Sequence, residues 1–167
     1  MTAIDDIAHA HTAVARTLRG VRPDLAVTAY GIPAPQGSKR HVGNGRLIES
    51  SKRVKPWREA VRLAAHEVLD ATGTGPLDGP LAVELTLTVV KPASAPKRRT
   101  TWPITRSSGD LDKLIRSTFD ALTDAKAIAD DSRIVEVTAT KVYPGEGYDA
   151  LERPGAVIRV WRIGGGS

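Results

Sequence analysis

Between Leu81 and Val90 the side chains alternate, with Leu81, Val83, Leu85, Leu87 and Val89 set against Ala82, Glu84, Thr86, Thr88 and Val90. A period of two predicts a β-strand with one buried face. The period lengthens to that of a helix between Leu111 and Thr123. There Leu111, Leu114, Ile115, Thr118, Phe119 and Leu122 form one stripe, with Asp110 placed to cap its start. Another helix is predicted from Pro56, with Trp57, Val61, Ala64, Ala65 and Val68 on one face and Gly73 as its stop. Weaker alternation marks strands at Leu25–Tyr30, at Arg133–Val142 (Val135, Val137 and Ala139 on one face) and at Ala156–Ile163. Gly43-Asn44-Gly45, between short apolar-containing segments, predicts a hairpin. Pro33, Pro35 and Gly37 exclude regular structure from Gly31 to Ser38. Residues 3–19 read as an amphipathic helix carrying Ile4, Ile7, Val14 and Leu18.

Strands and helices interleave without a regular βαβ rhythm, and no repeat is visible. The expectation is a single α+β domain over residues 25–163, with a mixed β-sheet packed against helices. An N-terminal helical extension would occupy residues 1–24 and a flexible glycine-rich tail residues 164–167.

A chain of 167 residues, 41% hydrophobic, can bury an ordinary core. No apolar run approaches the roughly 18 residues of a membrane span. Asp5, Asp6, His9 and His11 interrupt any apolar stretch near the start, so a secretory signal is not expected. Cysteine is absent, which excludes disulfides, thiol nucleophiles and cysteine-based metal centres. A cytosolic setting fits these features. The four histidines share no ligand spacing, and no Walker or Rossmann glycine pattern is present.

Charge changes the picture more. The net charge is +5, and its distribution is uneven. Lys39, Arg40, Arg46, Lys52, Arg53, Lys55 and Arg58 face one acid, Glu49, within residues 38–58. Lys91, Lys97, Arg98, Arg99 and Arg106 face none within residues 91–106. Between Asp110 and Glu136 acids outnumber bases. Asp110 and Asp112 bracket a helix start whose apolar stripe needs neither of them, and Asp130-Asp131 immediately precedes a strand. A helix start and a strand start that met at one sheet edge would gather these carboxylates. Such like charges are costly unless a cation sits among them. Oxygen ligands with open water positions suit Mg²⁺. Carboxylate-held Mg²⁺ beside basic loops is a layout for cutting a phosphodiester. Arg116, one turn after Asp112, is placed to pair with it and to reach a phosphate, and Asp120 to orient Arg116 from behind. The plainer alternatives are a helix cap for Asp110 and Asp112, a solvated turn at Asp130-Asp131, a surface ion-pair ladder through Arg116, and a packing role for Trp102.

The stretch GDLDKLIRSTFDALTDAKAIADDSRIVEVTATK, Gly109 to Lys141, resembles the RusA family of Holliday junction resolvases, as do YGIPAPQGSKRHVGNGR and WREAVRLAA before it. The family pattern is D-x-D-N-L-x-K, then D-A-L in the same helix, then D-D before a strand ending in Lys. The resemblance covers roughly Leu25 to Ile163. It implies a Mg²⁺-dependent endonuclease, with Mn²⁺ as a possible substitute, acting as a homodimer that nicks two opposed strands of a four-way DNA junction. It further implies that Asp110, Asp112 and Asp131 are the essential, metal-holding carboxylates, that Arg116 stands at the motif's lysine and Lys113 at its asparagine, and that Asp120 matches the acid of D-A-L. Asp130 would support the site from behind. Lys39, Arg40, Arg46, Lys97, Arg98, Arg99 and Lys113 would hold the DNA. Arginine keeps the charge of the replaced lysine but not its ability to give up a proton. The setting implied is the cytoplasm of a bacterium or a phage-infected bacterium, away from any membrane. Two other functions compete: a non-catalytic protein that binds branched DNA, and a nuclease acting on flaps or forks.

Overall fold

The computed structural model describes residues 20–37, 40–42, 46–48 and 52–164. The helix expected over residues 3–19 lies outside them, as does the end of the glycine tail.

The strands are β1 (Leu25–Tyr30), β2 (Arg40–Val42), β3 (Arg46–Ile48), β4 (Leu81–Thr88), β5 (Ile134–Val142) and β6 (Gly155–Arg162), and the helices are α1 (Val54–Thr72) and α2 (Leu111–Asp124). β2 and β3 pair antiparallel as the expected hairpin. The other four strands form one sheet in the order β1-β6-β4-β5. β6 runs antiparallel to β1 and β4, whereas β4 and β5 are parallel, so the sheet is mixed. The fold is α+β, as expected. It holds one crossover unit, β4-α2-β5, because parallel neighbours need a connection that returns the chain to the same end.

Local chemistry accounts for these elements. β1 buries Leu25, Val27 and Ala29 and exposes the residues between them. Gly155 permits the close approach of β6 to β1, since a Cβ there would sit 2.3 Å from the Ala29 carbonyl oxygen. α1 begins at Val54, two residues before Pro56. The first turn has no intrahelical acceptor for its N–H groups, so proline costs nothing there. Gly73 ends α1 in the left-handed conformation, with its N–H bonded to Leu69 O.

α1 and α2 pack on each other and on the sheet. Trp57, Val61, Ala65, Leu114 and Leu122 are fully buried in the core that the helices share with the sheet, each large one contributing about 1.5–3 kcal/mol. Trp57 Nε1 donates to Thr118 Oγ1 across the helix pair.

β4 departs from its sequence pattern. Ala82, Thr86 and Thr88 are buried as well as the leucines, so both faces are covered. Residues 143–154 cover the second face. Arg159 ties Asp149 of this loop to Glu84 of β4, and Leu151 N donates to Thr88 Oγ1. β5 departs in the opposite sense. Val135 and Val137 stay exposed, because β5 is the sheet edge and Val135 is the extra residue of a bulge opposite Leu81 and Ala82. No helix among the described residues is long and apolar enough to cross a membrane.

Candidate active site

Asp110 holds the N-cap position of α2 with extended backbone, yet its side chain makes no capping hydrogen bond. The carboxylate points outward, 66% exposed, and pairs with Lys113 Nζ at 3.1 Å. Asp112 lies exposed in the first turn. The positive end of the helix dipole offsets part of the repulsion between the two. Gly109 immediately before them has φ +82°, and a Cβ there would also press to 3.1 Å from Pro35 Cγ, so both backbone and space require glycine. The irregular segment after β1 is fixed to this end of α2. Gln36 N donates to Lys113 O at 3.1 Å, and Ser117 Oγ donates to Ala34 O at 2.7 Å. Gln36 Oε1 is buried there without a hydrogen-bond partner among the described residues.

Lys141, near the end of β5, supports the same corner. Its ammonium donates to Gly109 O at 2.7 Å and to Ser108 Oγ at 3.0 Å. Partial burial lowers its pKa, and the nearby Asp110 charge opposes that fall. Sequence reasoning met Lys141 only as the end of a motif. The signal that it points to the helices was its alternation with Val137 and Ala139 on one strand face.

The two basic segments, remote in sequence, meet. A cleft of about 730 Å³ between the start of α1 and the loop after β4 is lined by Ile32, Lys52, Arg53, Trp57, Pro92 and Ser107 among others. Ser107 is three residues from Asp110. Lys97, Arg98 and Arg99 are exposed on that loop. The loop is tied down by Glu146, which pairs with Lys91 Nζ and accepts Thr101 N–H at 3.2 Å. These bonds hold the Glu146 carboxyl below its usual pKa, the Lys91 contact being the larger cause. Lys39 and the side chains of Arg40 and Arg46 lie outside the described residues.

Other expected site residues stand apart. Asp131 sits in a short 3-10 turn (Asp131–Arg133) before β5, exposed. Since Lys141 contacts Gly109, the start of β5 must lie at the far end of α2. The strand rise puts Ile134 about 23 Å from Lys141. Hence one chain does not bring Asp131 to Asp110 and Asp112, and no three acidic or histidine side chains among the described residues are grouped to hold a metal ion. Asp130 caps the 3-10 turn, accepting Ser132 N–H at 2.8 Å, and its hydrogen bonds with Ser132 lower its pKa. Asp120 lies 3.8 Å from Arg58 of α1, which bonds Asp124 at 2.5 Å. Asp120 thus serves the helix pair. Arg116 is exposed and has no ion-pair partner among the described residues.

No curated protein matches the chain. The family model for the endodeoxyribonuclease RusA matches residues 31–151, from the segment that clamps α2 to the loop that follows β5. With both aspartates of the Asp-x-Asp motif exposed at the start of α2, directly after the basic loop, and the family model matched over most of the chain, this enzyme belongs to the RusA endodeoxyribonuclease family.

Proposed function

We propose that the protein is a Mg²⁺-dependent resolvase of four-way DNA junctions that works as a homodimer in the cytoplasm, with each metal site shared between subunits. Endodeoxyribonucleases of this family depend in general on a divalent metal and act on branched DNA. The carrying observation is the pair Asp110 and Asp112. Neither is consumed by capping or packing, and Ser107, three residues before Asp110, lines the cleft where the two basic segments meet. Their oxygens are hard donors that fit Mg²⁺, and Mn²⁺ accepts the same set. The cation, when held there, would activate a water and polarise the phosphoryl oxygens.

The third carboxylate finds a physical place in a dimer. β5 is an edge strand with no partner on its outer side among the described residues, and its Val135 and Val137 are exposed. Two such edges pairing antiparallel about a two-fold axis set the start of each strand beside the end of the other. The partner subunit's Asp131 then approaches Asp110 and Asp112, and two symmetric sites arise together, as paired nicking requires. Arg116 would hold the scissile phosphate by its planar fork. Lys113 supplies a point charge at the same helix turn. Lys141 holds the Ser108–Gly109 corner, and with it Asp110, in position. Lys97, Arg98 and Arg99 neutralise backbone phosphates, so binding weakens steeply with salt.

The test is a synthetic four-way junction and a linear duplex of the same sequence, each with and without Mg²⁺. Paired nicks in the junction alone, lost in Asp110→Asn and Asp112→Asn with binding retained, are the expected result. Undiminished cutting by those variants contradicts the site.

A further inference from the structure

The three-residue tip Trp102-Pro103-Ile104 of the basic loop is built unlike an ordinary solvated turn. Trp102 is 64% exposed and Ile104 88%, whereas Pro103 between them is buried. The other two tryptophans, Trp57 and Trp161, are buried at 1% and 4%. The plainer sequence reading of Trp102 as a packing residue therefore fails. The tip is also held rigidly. Ile104 N donates to Trp102 O at 2.9 Å, closing a turn of three residues. The Pro103 carbonyl oxygen accepts Ser108 Oγ at 2.9 Å, and Ser108 Oγ in turn accepts the Lys141 ammonium. One connected set of bonds thus links the exposed apolar tip to Gly109 and to the Asp110 corner.

Two large apolar side chains held out in water need a partner. The flanking charge restricts its chemistry. Lys97, Arg98, Arg99 and Arg106 flank the tip along the chain, with no acid from Lys91 to Arg106. A ligand that is polyanionic and also presents flat apolar faces is nucleic acid, whose bases stack on aromatic side chains. In a continuous duplex those faces are already stacked on each other. At a branch point they are open.

From this geometry, and resting on the reading of branched DNA as substrate, we infer that Trp102 and Ile104 form an apolar wedge that stacks on the bases exposed where strands exchange. Pro103 and Ser108 set the tip at a fixed separation from Asp110. The wedge then selects branched over linear DNA and measures the distance from branch point to cut.

The test uses the full chain in EDTA, so that binding is read without cutting, with a synthetic four-way junction and a linear duplex as probes. Trp102→Ala should weaken junction binding about tenfold, the scale of losing one base–aromatic stack, while duplex binding changes less than twofold. Trp102→Phe should keep most of the affinity. In the wild type, the junction but not the duplex should shield tryptophan fluorescence from acrylamide, since Trp102 is the exposed tryptophan. An unchanged thermal midpoint for Trp102→Ala is expected from its exposure. Equal losses on both DNAs, or none, overturn the wedge. So does a shift of Trp102→Ala from dimer to monomer in sedimentation, which would put the tip in a subunit interface. A wild type that binds and cuts junctions while Trp102→Ala matches it sinks the wedge alone. A wild type that ignores junctions sinks the proposed function as well.

Discussion

Asp110 stands where a helix cap belongs and does not cap. A capping aspartate contributes about 1 kcal/mol to its helix, and Asp110 forgoes that contribution. Its carboxylate instead bonds Lys113 at the surface, an exposed pair of little net worth. We expect Asp110→Asn to leave stability within about 0.5 kcal/mol of the wild type in urea denaturation, while abolishing DNA cutting. A loss of 1 kcal/mol or more would return Asp110 to a structural role. At this scale the sequence was partly legible. That the stripe of α2 needs neither Asp110 nor Asp112 could be read from spacing alone. The role of Asp120 could not. Its neighbour on α2, Arg116, is a surface residue, and the charge it meets is Arg58, which comes from another helix 62 positions away.

At the scale of elements, the loop between β4 and α2 is long, basic and held by one acidic residue. Glu146 takes both Lys91 Nζ and the Thr101 amide. Its carboxyl titrates below the usual glutamate value, so the folded state binds this proton less tightly than the unfolded chain. The anchor is therefore complete above about pH 4.3 and is lost as pH falls through the lowered value. Glu146→Gln should speed hydrogen exchange at the Thr101 amide at neutral pH, measured by NMR, and mimic the acid form. Unchanged protection would show that other contacts hold the loop. A second prediction concerns the edge. Val137 is half-exposed on β5, near the middle of the strand, so Val137→Glu should leave the subunit folded. Across the two-fold axis of the proposed dimer it would bring like charges together and favour monomers in sedimentation equilibrium. A variant that stays dimeric argues against β5 as the interface. Element type was largely visible in periodicity, as in α2 and the leucine face of β4. Coverage was not. The second face of β4 is buried by a loop whose hold depends on Arg159 meeting Asp149 and Glu84, a long-range pairing that no local pattern records.

At the scale of the whole molecule, strand direction decides the site. A spacing of 19 residues from Asp112 to Asp131 is compatible with convergence in one chain, and that expectation ignored the direction of the strands. β5 lies parallel to β4, so α2 must carry the chain back along the sheet before β5 begins. The start of α2 is left beside the end of β5, as Lys141 on Gly109 shows, and Asp131 is left at the opposite end. In the proposed dimer a shared site would turn this separation into the means of coupling two cuts: neither subunit alone would complete a metal site, so neither would cut alone.

The most direct measurement mixes two inactive variants, Asp110→Asn and Asp131→Asn, after unfolding and refolding them together with a four-way junction and Mg²⁺ as substrate and cofactor. In a mixed dimer with shared sites, one site has both residues changed and the other has neither, so nicking of a single strand should reappear. A mixture that assembles into dimers yet stays as inactive as its two components would contradict the account, because it would confine each set of carboxylates to one chain.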